Sequence, residues 1–186
     1  MSVPRLLTVV LAIVGVVLAA LVVRVGVGFP PASTAPAAGS AVPVPPEPAG
    51  SRASRSVERR ALRVLHVWDA QRAAAYQAGS GRRLRALYAV GSSAGEADVR
   101  LLARYRSRGF TVAGLRTQVL ALEVLTSRRG RLRVRVGDRV VGAVAVRGAR
   151  RVRLPRDAAS SRVIDLVRSG DGRWRVSAVR DPTGPG

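Results

Sequence analysis

Residues 64–89 read VLHVWDAQRAAAYQAGSGRRLRALYA. The stretch decides the fold because it starts as an amphipathic helix and then breaks sharply. At 100° per residue, Val57, Ala61, Val64, Leu65, Trp68, Ala75 and Tyr76 share one broad apolar face. Arg59, Arg60 and Arg63 fall opposite. The pattern predicts a helix over 57–79, with Ser56 as its N-cap and Glu58 at the positive end of its dipole. Gly79 and Gly81 end it. A short second helix is expected over 82–89, carrying Leu84, Leu87 and Tyr88. Asp69 and Arg72 lie in or beside the apolar face, three residues apart, and are expected to form a local ion pair.

Downstream, a Gly/Ser-rich loop over 90–95 leads to a third expected helix, 96–108. Glu96 and Asp98 stand in its first turn, and Arg106 and Arg108 in its last, as the helix dipole prefers. Val99, Leu102 and Tyr105 face inward, and Gly109 stops the helix. From Phe110 the pattern becomes strand-like. Strands are predicted over 115–126, 131–136, 140–146, 151–154, 161–168 and 173–179. The segment 131–136 alternates fully, Leu132, Val134 and Val136 against Arg131, Arg133 and Arg135, which marks a half-exposed antiparallel strand. Gly137 and Asp138 read as a bulge or turn. Helices first and an antiparallel meander second define an α+β class, with three helices on one face of a curved sheet.

Upstream, residues 6–23 read LLTVVLAIVGVVLAALVV, without a charge, between Arg5 and Arg24. As a helix this run spans roughly 27 Å, close to the ~30 Å hydrocarbon core of a bilayer. It exceeds the apolar core of about 7–15 residues found in signal peptides. The expectation is an uncleaved transmembrane anchor over 1–28. Residues 29–56 form the expected disordered Pro/Ala-rich linker, holding seven of the chain's eleven prolines. A folded domain is expected over 57–181, and a disordered tail over 182–186. Arg5 and Arg24 nearly balance in the positive-inside rule. The very short N-terminus and the Pro/Ala-rich stalk point to a cell-membrane protein with one span and an extracytoplasmic domain.

Composition removes several chemistries. The chain has 32 Arg and no Lys, 11 acids, one His and no Cys, for a formal net charge of +21. Disulfides, thiol nucleophiles, Schiff bases and Ser–Lys chemistry are excluded by residue type. A zinc site has almost no ligands, no metal or cofactor is implied, and neither GxGxxG nor GxxxxGK[ST] occurs. The charge predicts attraction to anionic partners. With only seven aromatics in the chain, nucleic acid fits poorly unless the domain faces the cytosol, and anionic lipid or wall polymer fits better.

The segment 64–89 also resembles the opening helices of the nuclear transport factor 2-like superfamily, which includes ketosteroid-isomerase-like and polyketide-cyclase-like domains. Trp68, Tyr76, Ala78–Gly79, Leu84, Leu87 and Tyr88 carry the resemblance, together with the sheet that follows, over about 57–180. Membrane-anchored members with a Pro/Ala-rich linker are known from actinobacteria. Many members carry Asp after the helix-ending Gly; here Ser80 and Gly81 stand instead. The resemblance implies a cone-shaped fold with a pocket between the long helix and the sheet. It implies no single activity, since that fold hosts enzymes, binders and scaffolds.

Two sets of residues are therefore candidates. Trp68, Asp69, Arg72, Tyr76 and Tyr88 would surround the pocket. Asp69 is the first choice for acid–base work, Glu123 and Asp165 the second, and His66 reads as a structural or solvated histidine. No residue is assigned a catalytic role. Arg131, Arg133, Arg135, Arg151, Arg153, Arg173 and Arg175 could form an anion-binding sheet face. The enzyme question stays open and leans against catalysis. The leading reading is a non-enzymatic accessory or interaction module of the cell envelope, with an envelope protein or an anionic polymer or lipid as partner. The alternatives are a small-molecule binder or isomerase/cyclase-like enzyme using the pocket, and a binder of anionic lipid or wall polymer through the Arg-rich face.

Overall fold

The structure is a computed structural model that describes residues 49–156 and 158–182. The expected anchor, the linker up to residue 48 and tail residues 183–186 lie outside these residues. Among the described residues, no helix is long and apolar enough to cross a membrane.

Three helices come first: α1 (Ala49–Gln77), α2 (Gly81–Arg85) and α3 (Ser93–Ser107). Five strands follow: β1 (Thr111–Arg128), β2 (Arg131–Arg147), β3 (Arg150–Arg153), β4 (Ser160–Arg168) and β5 (Trp174–Arg180). α1 starts earlier than 57, so residues 49–56 belong to the helix rather than to the linker. The last linker proline is Pro48, and nothing after it breaks helical hydrogen bonding. Ser80 caps α2 by accepting from the Arg83 amide. Ser92 caps α3 by accepting from the Gly95 amide, which draws residues 93–95 of the expected loop into the helix.

The sheet is antiparallel in the order β1-β2-β4-β5. β4 pairs with residues 131–138 of β2, and β3 pairs with residues 144–147, on the far half of the same strand. The expected interruption at Gly137 and Asp138 does not occur: β2 runs through, because Asp138 continues the inward series Leu132, Val134, Val136 and is buried. The curvature arises in β1, whose register against β2 shifts between Ala113 and Arg116, Arg116 and Thr117, Val119 and Ala121, and Val124 and Thr126. Each shift adds residues on one strand and bends it. Gly114 sits in the first of these bulges at φ +66°, a conformation L side chains rarely adopt.

The helices pack on the concave face. Ala61, Leu65, Ala75 and Tyr76 of α1 are buried, as the 3.6-residue period requires. Leu84, Leu102, Val134, Leu166 and Val176 are fully buried beneath them. After α2 the chain touches the far side of the sheet: Tyr88 bridges Val176, Ala89 N donates to Val176 O, and Val176 N donates to Leu87 O. This architecture, three helices on an antiparallel sheet, is the one that the nuclear transport factor 2-like resemblance implies.

Candidate functional site

Between α1, α3 and the concave face lies a cavity of about 370 Å³. That falls in the range of small-molecule pockets, about 300–1,000 Å³. Its walls are mostly apolar, with Leu101, Val112, Val119, Ala143 and Ile164 among them. Exposed His66, Arg139 and Pro155 also line it and mark the side that meets solvent. Trp68, Asp69, Arg72, Tyr76 and Tyr88, the five pocket candidates, all stand in its wall. Trp68 and Tyr76 line the space rather than fill it.

Three carboxylates reach the cavity, and each already has a partner. Asp98 of α3 is buried and has the most donors around it. Arg72 grips it through two bonds, Nε to Oδ2 and Nη2 to Oδ1, both 2.7 Å. Tyr76 Oη donates to Oδ1 at 2.5 Å and Tyr88 Oη to Oδ2 at 2.7 Å. Arg72 lies over two rings, 5.1 Å from the Tyr76 centroid and 5.9 Å from that of Trp68. Trp68 meets Tyr88 edge to face at 5.6 Å and donates its indole N–H to Leu87 O.

These contacts shift the titrations in a consistent pattern. Burial alone would raise the Asp98 pKa, but the charge of Arg72 and four hydrogen bonds hold it below the usual carboxylate value. Burial alone would lower the Arg72 pKa, and the Asp98 charge and hydrogen bonds carry it well above its ordinary value instead. Burial, followed in Tyr88 by the Asp98 charge, raises both phenols, which remain neutral donors.

The expected Asp69–Arg72 pair is thereby overturned. Asp69 turns to the sheet, where Oδ1 accepts from Thr117 Oγ1 at 2.9 Å and Oδ2 from Thr117 N at 3.3 Å. Arg72 turns to α3, where a bidentate grip on a buried carboxylate is stronger than an i,i+3 pair at the helix surface. The third carboxylate, buried Asp138 of β2, accepts from Arg162 Nη2 of the neighbouring β4. Arg162 Nε is buried and, among the described residues, meets no acceptor.

Asp98, Asp138 and Arg162 are absent from the sequence-derived candidates. Two of them carried a signal. Asp98 precedes Leu102 and Tyr105 by one and two helical turns, which places it on the inward face of α3. Asp138 stands at the next inward position after Val136.

The Arg-rich face is divided. Arg131, Arg133 and Arg135 project from the outer side of β2, and Arg175 reaches the same side through its register with Val167. Arg151 and Arg153 of β3 lie against the far half of β2, and exposed Arg173 stands in the turn before β5. Acids interleave: Asp165 is shared by Arg133 and Arg180, Glu123 meets Arg135, and Asp171 meets Arg175. Glu123 and Asp165, the second-choice acid–base candidates, are thus on the outer face, away from the cavity.

No protein-family model matches the chain. No curated protein matches it either. Solved structures do. The intermembrane space region of the chloroplast protein ARC6 aligns at 14% identity over 67% of this chain and 96% of that one, TM-score 0.46. A ketosteroid isomerase-like protein from Erwinia carotovora atroseptica aligns at 15% over 67% and 97%, TM-score 0.40. An NTF2-like protein of unknown function in nutrient uptake from Rhodospirillum rubrum aligns at 16% over 62% and 93%, TM-score 0.39.

Proposed function

We propose that this chain is a non-enzymatic binding domain of the cell envelope, held at the membrane by residues 6–23, which takes one small, mostly apolar molecule into the cavity. The observation that carries the reading is a cavity of about 370 Å³ in which Asp98, Asp69 and Asp138 are all engaged by internal donors. A general base needs a lone pair within reach of the proton it removes. Asp98 has spent its lone pairs on Arg72, Tyr76 and Tyr88. The walls are mostly apolar, so the molecule that fits has an apolar body.

Native mass spectrometry of the full chain, released from neutral detergent, tests this. One adduct per chain is expected, and Ala143→Phe, which pushes a ring into the cavity, abolishes it without lowering the melting temperature by more than a few degrees. Recovery of the bound molecule in a chemically altered form selects the isomerase- or cyclase-like reading instead. Absence of any adduct in the parent chain, with the same result after exposure to lipid extract, overturns the proposal. A reporter fused after Gly186 that is active only outside the cytosol supports the envelope placement, and one active only in the cytosol removes it.

A further inference from the structure

A second pocket, of about 350 Å³, lies at the opposite end of α1 and shares no wall residue with the cavity. Arg60 enters it from α1, Arg128 from the end of β1, Arg129 from the turn that follows, and Arg168 from the end of β4. Half-buried Trp174 and buried Leu132 form its apolar floor. No acid lines it, and among the described residues none of the four arginines forms an ion pair. The contrast with the outer sheet face, where Glu123, Asp165 and Asp171 interleave the arginines, is direct.

The geometry points to a binding site for the phosphate of a lipid headgroup, independent of any ligand in the cavity. Four like charges from three elements repel one another across a concave surface, and a multivalent anion removes that repulsion. Guanidinium groups present paired donors that match phosphate oxygens, and the indole of Trp174 offers an apolar surface for the glycerol backbone. The choice of a lipid over a soluble phosphate rests on the proposed anchoring by residues 6–23. The α1 residues in the pocket are Val57, Arg60, Ala61 and Val64, in the helix half nearest the entry of residues 1–48, which include the uncharged run 6–23.

The test uses the full chain in neutral detergent, titrated calorimetrically with dihexanoyl phosphatidic acid, dihexanoyl phosphatidylcholine and inorganic phosphate. Phosphatidic acid is expected to bind at one site and more tightly than the other two. At about fivefold per arginine near an anionic headgroup, the triple variant Arg60→Gln, Arg128→Gln, Arg129→Gln is expected to bind about a hundredfold more weakly. A control with equal charge removed elsewhere, Arg82→Gln, Arg83→Gln, Arg104→Gln, is expected to lose less than about fivefold. All six side chains are exposed, so both variants keep the fold. Equal losses in the two triples overturn the site. Inorganic phosphate binding as tightly as phosphatidic acid overturns the lipid assignment, and no saturable binding of any of the three overturns both.

Discussion

Replacing Arg72 by Met leaves the Asp98 carboxylate buried against two phenols without its cation. The expected cost is about 3–5 kcal/mol, the range for breaking a buried pair from one side. The double variant Arg72→Met, Asp98→Leu removes both charges and is expected to recover most of that loss. Urea denaturation midpoints of the two singles and the double measure the coupling, and additive losses would show that the pair is not a unit. Arg72 was legible in the sequence as a residue of the pocket wall, but its partner was not. With the helix expected to start at Glu96, Asp98 looks like an ordinary complement to the helix dipole, but α3 starts at Ser93 and puts Asp98 in its second turn. Only its position relative to Leu102 and Tyr105 hinted otherwise, and pairing between α1 and α3 depends on how two helices pack, which no local pattern encodes.

Among the elements, β1 is the most irregular wall of the site. It supplies Val112, Leu115, Thr117 and Val119 to the cavity, and three of its four register shifts fall within residues 113–121. Gly114 permits the first bulge, and Gly142 stands opposite, where an added Cβ would come within 3.3 Å of Gly114 O. Gly114→Val is therefore expected to cost about 1–3 kcal/mol, the range for a residue forced into a strained backbone region. Gly170→Val, at a turn glycine with open space and no positive φ, is the control and is expected to cost less than about 1 kcal/mol. Thermal unfolding of the two variants decides, and equal losses would remove the special role of the bulge. The strands themselves were readable from alternation. The bulges were not, since a glycine inside a strand pattern signals a bulge, a bend or a close approach equally well.

The domain as a whole should be stable between two pH limits set by the same buried cluster. The Asp98 pKa is lower folded than its ordinary 3.8, so its contribution is present above that value and is lost as pH falls through the folded pKa. Tyr76 and Tyr88 have folded pKa values raised above 10.0, so their contribution is full below pH 10.0 and declines as pH rises beyond it. Tyr105 is raised by burial as well. The near-ultraviolet absorbance of tyrosinate is thus expected to appear only together with alkaline unfolding, and ionised tyrosine in a still-folded chain would sink the account. Fold class and the succession of helices and strands along the chain were visible in the sequence because period and turn chemistry are local. The expected simple meander does not form, however: β4 pairs with β2, and β3 lies beside the far half of β2. The path by which residues 86–89 reach β5 was invisible, because the Leu87 carbonyl finds its partners far along the chain.

That carbonyl carries a temporal meaning. Leu87 O accepts from the Trp68 indole and from Val176 N, so one atom joins a residue made early to one made almost last. A chain synthesised from its N-terminus can form α1 and the Asp98 grip while still emerging, yet the carbonyl keeps an open lone pair until β5 arrives. The link between the α2–α3 connection and the sheet therefore waits for the final strand.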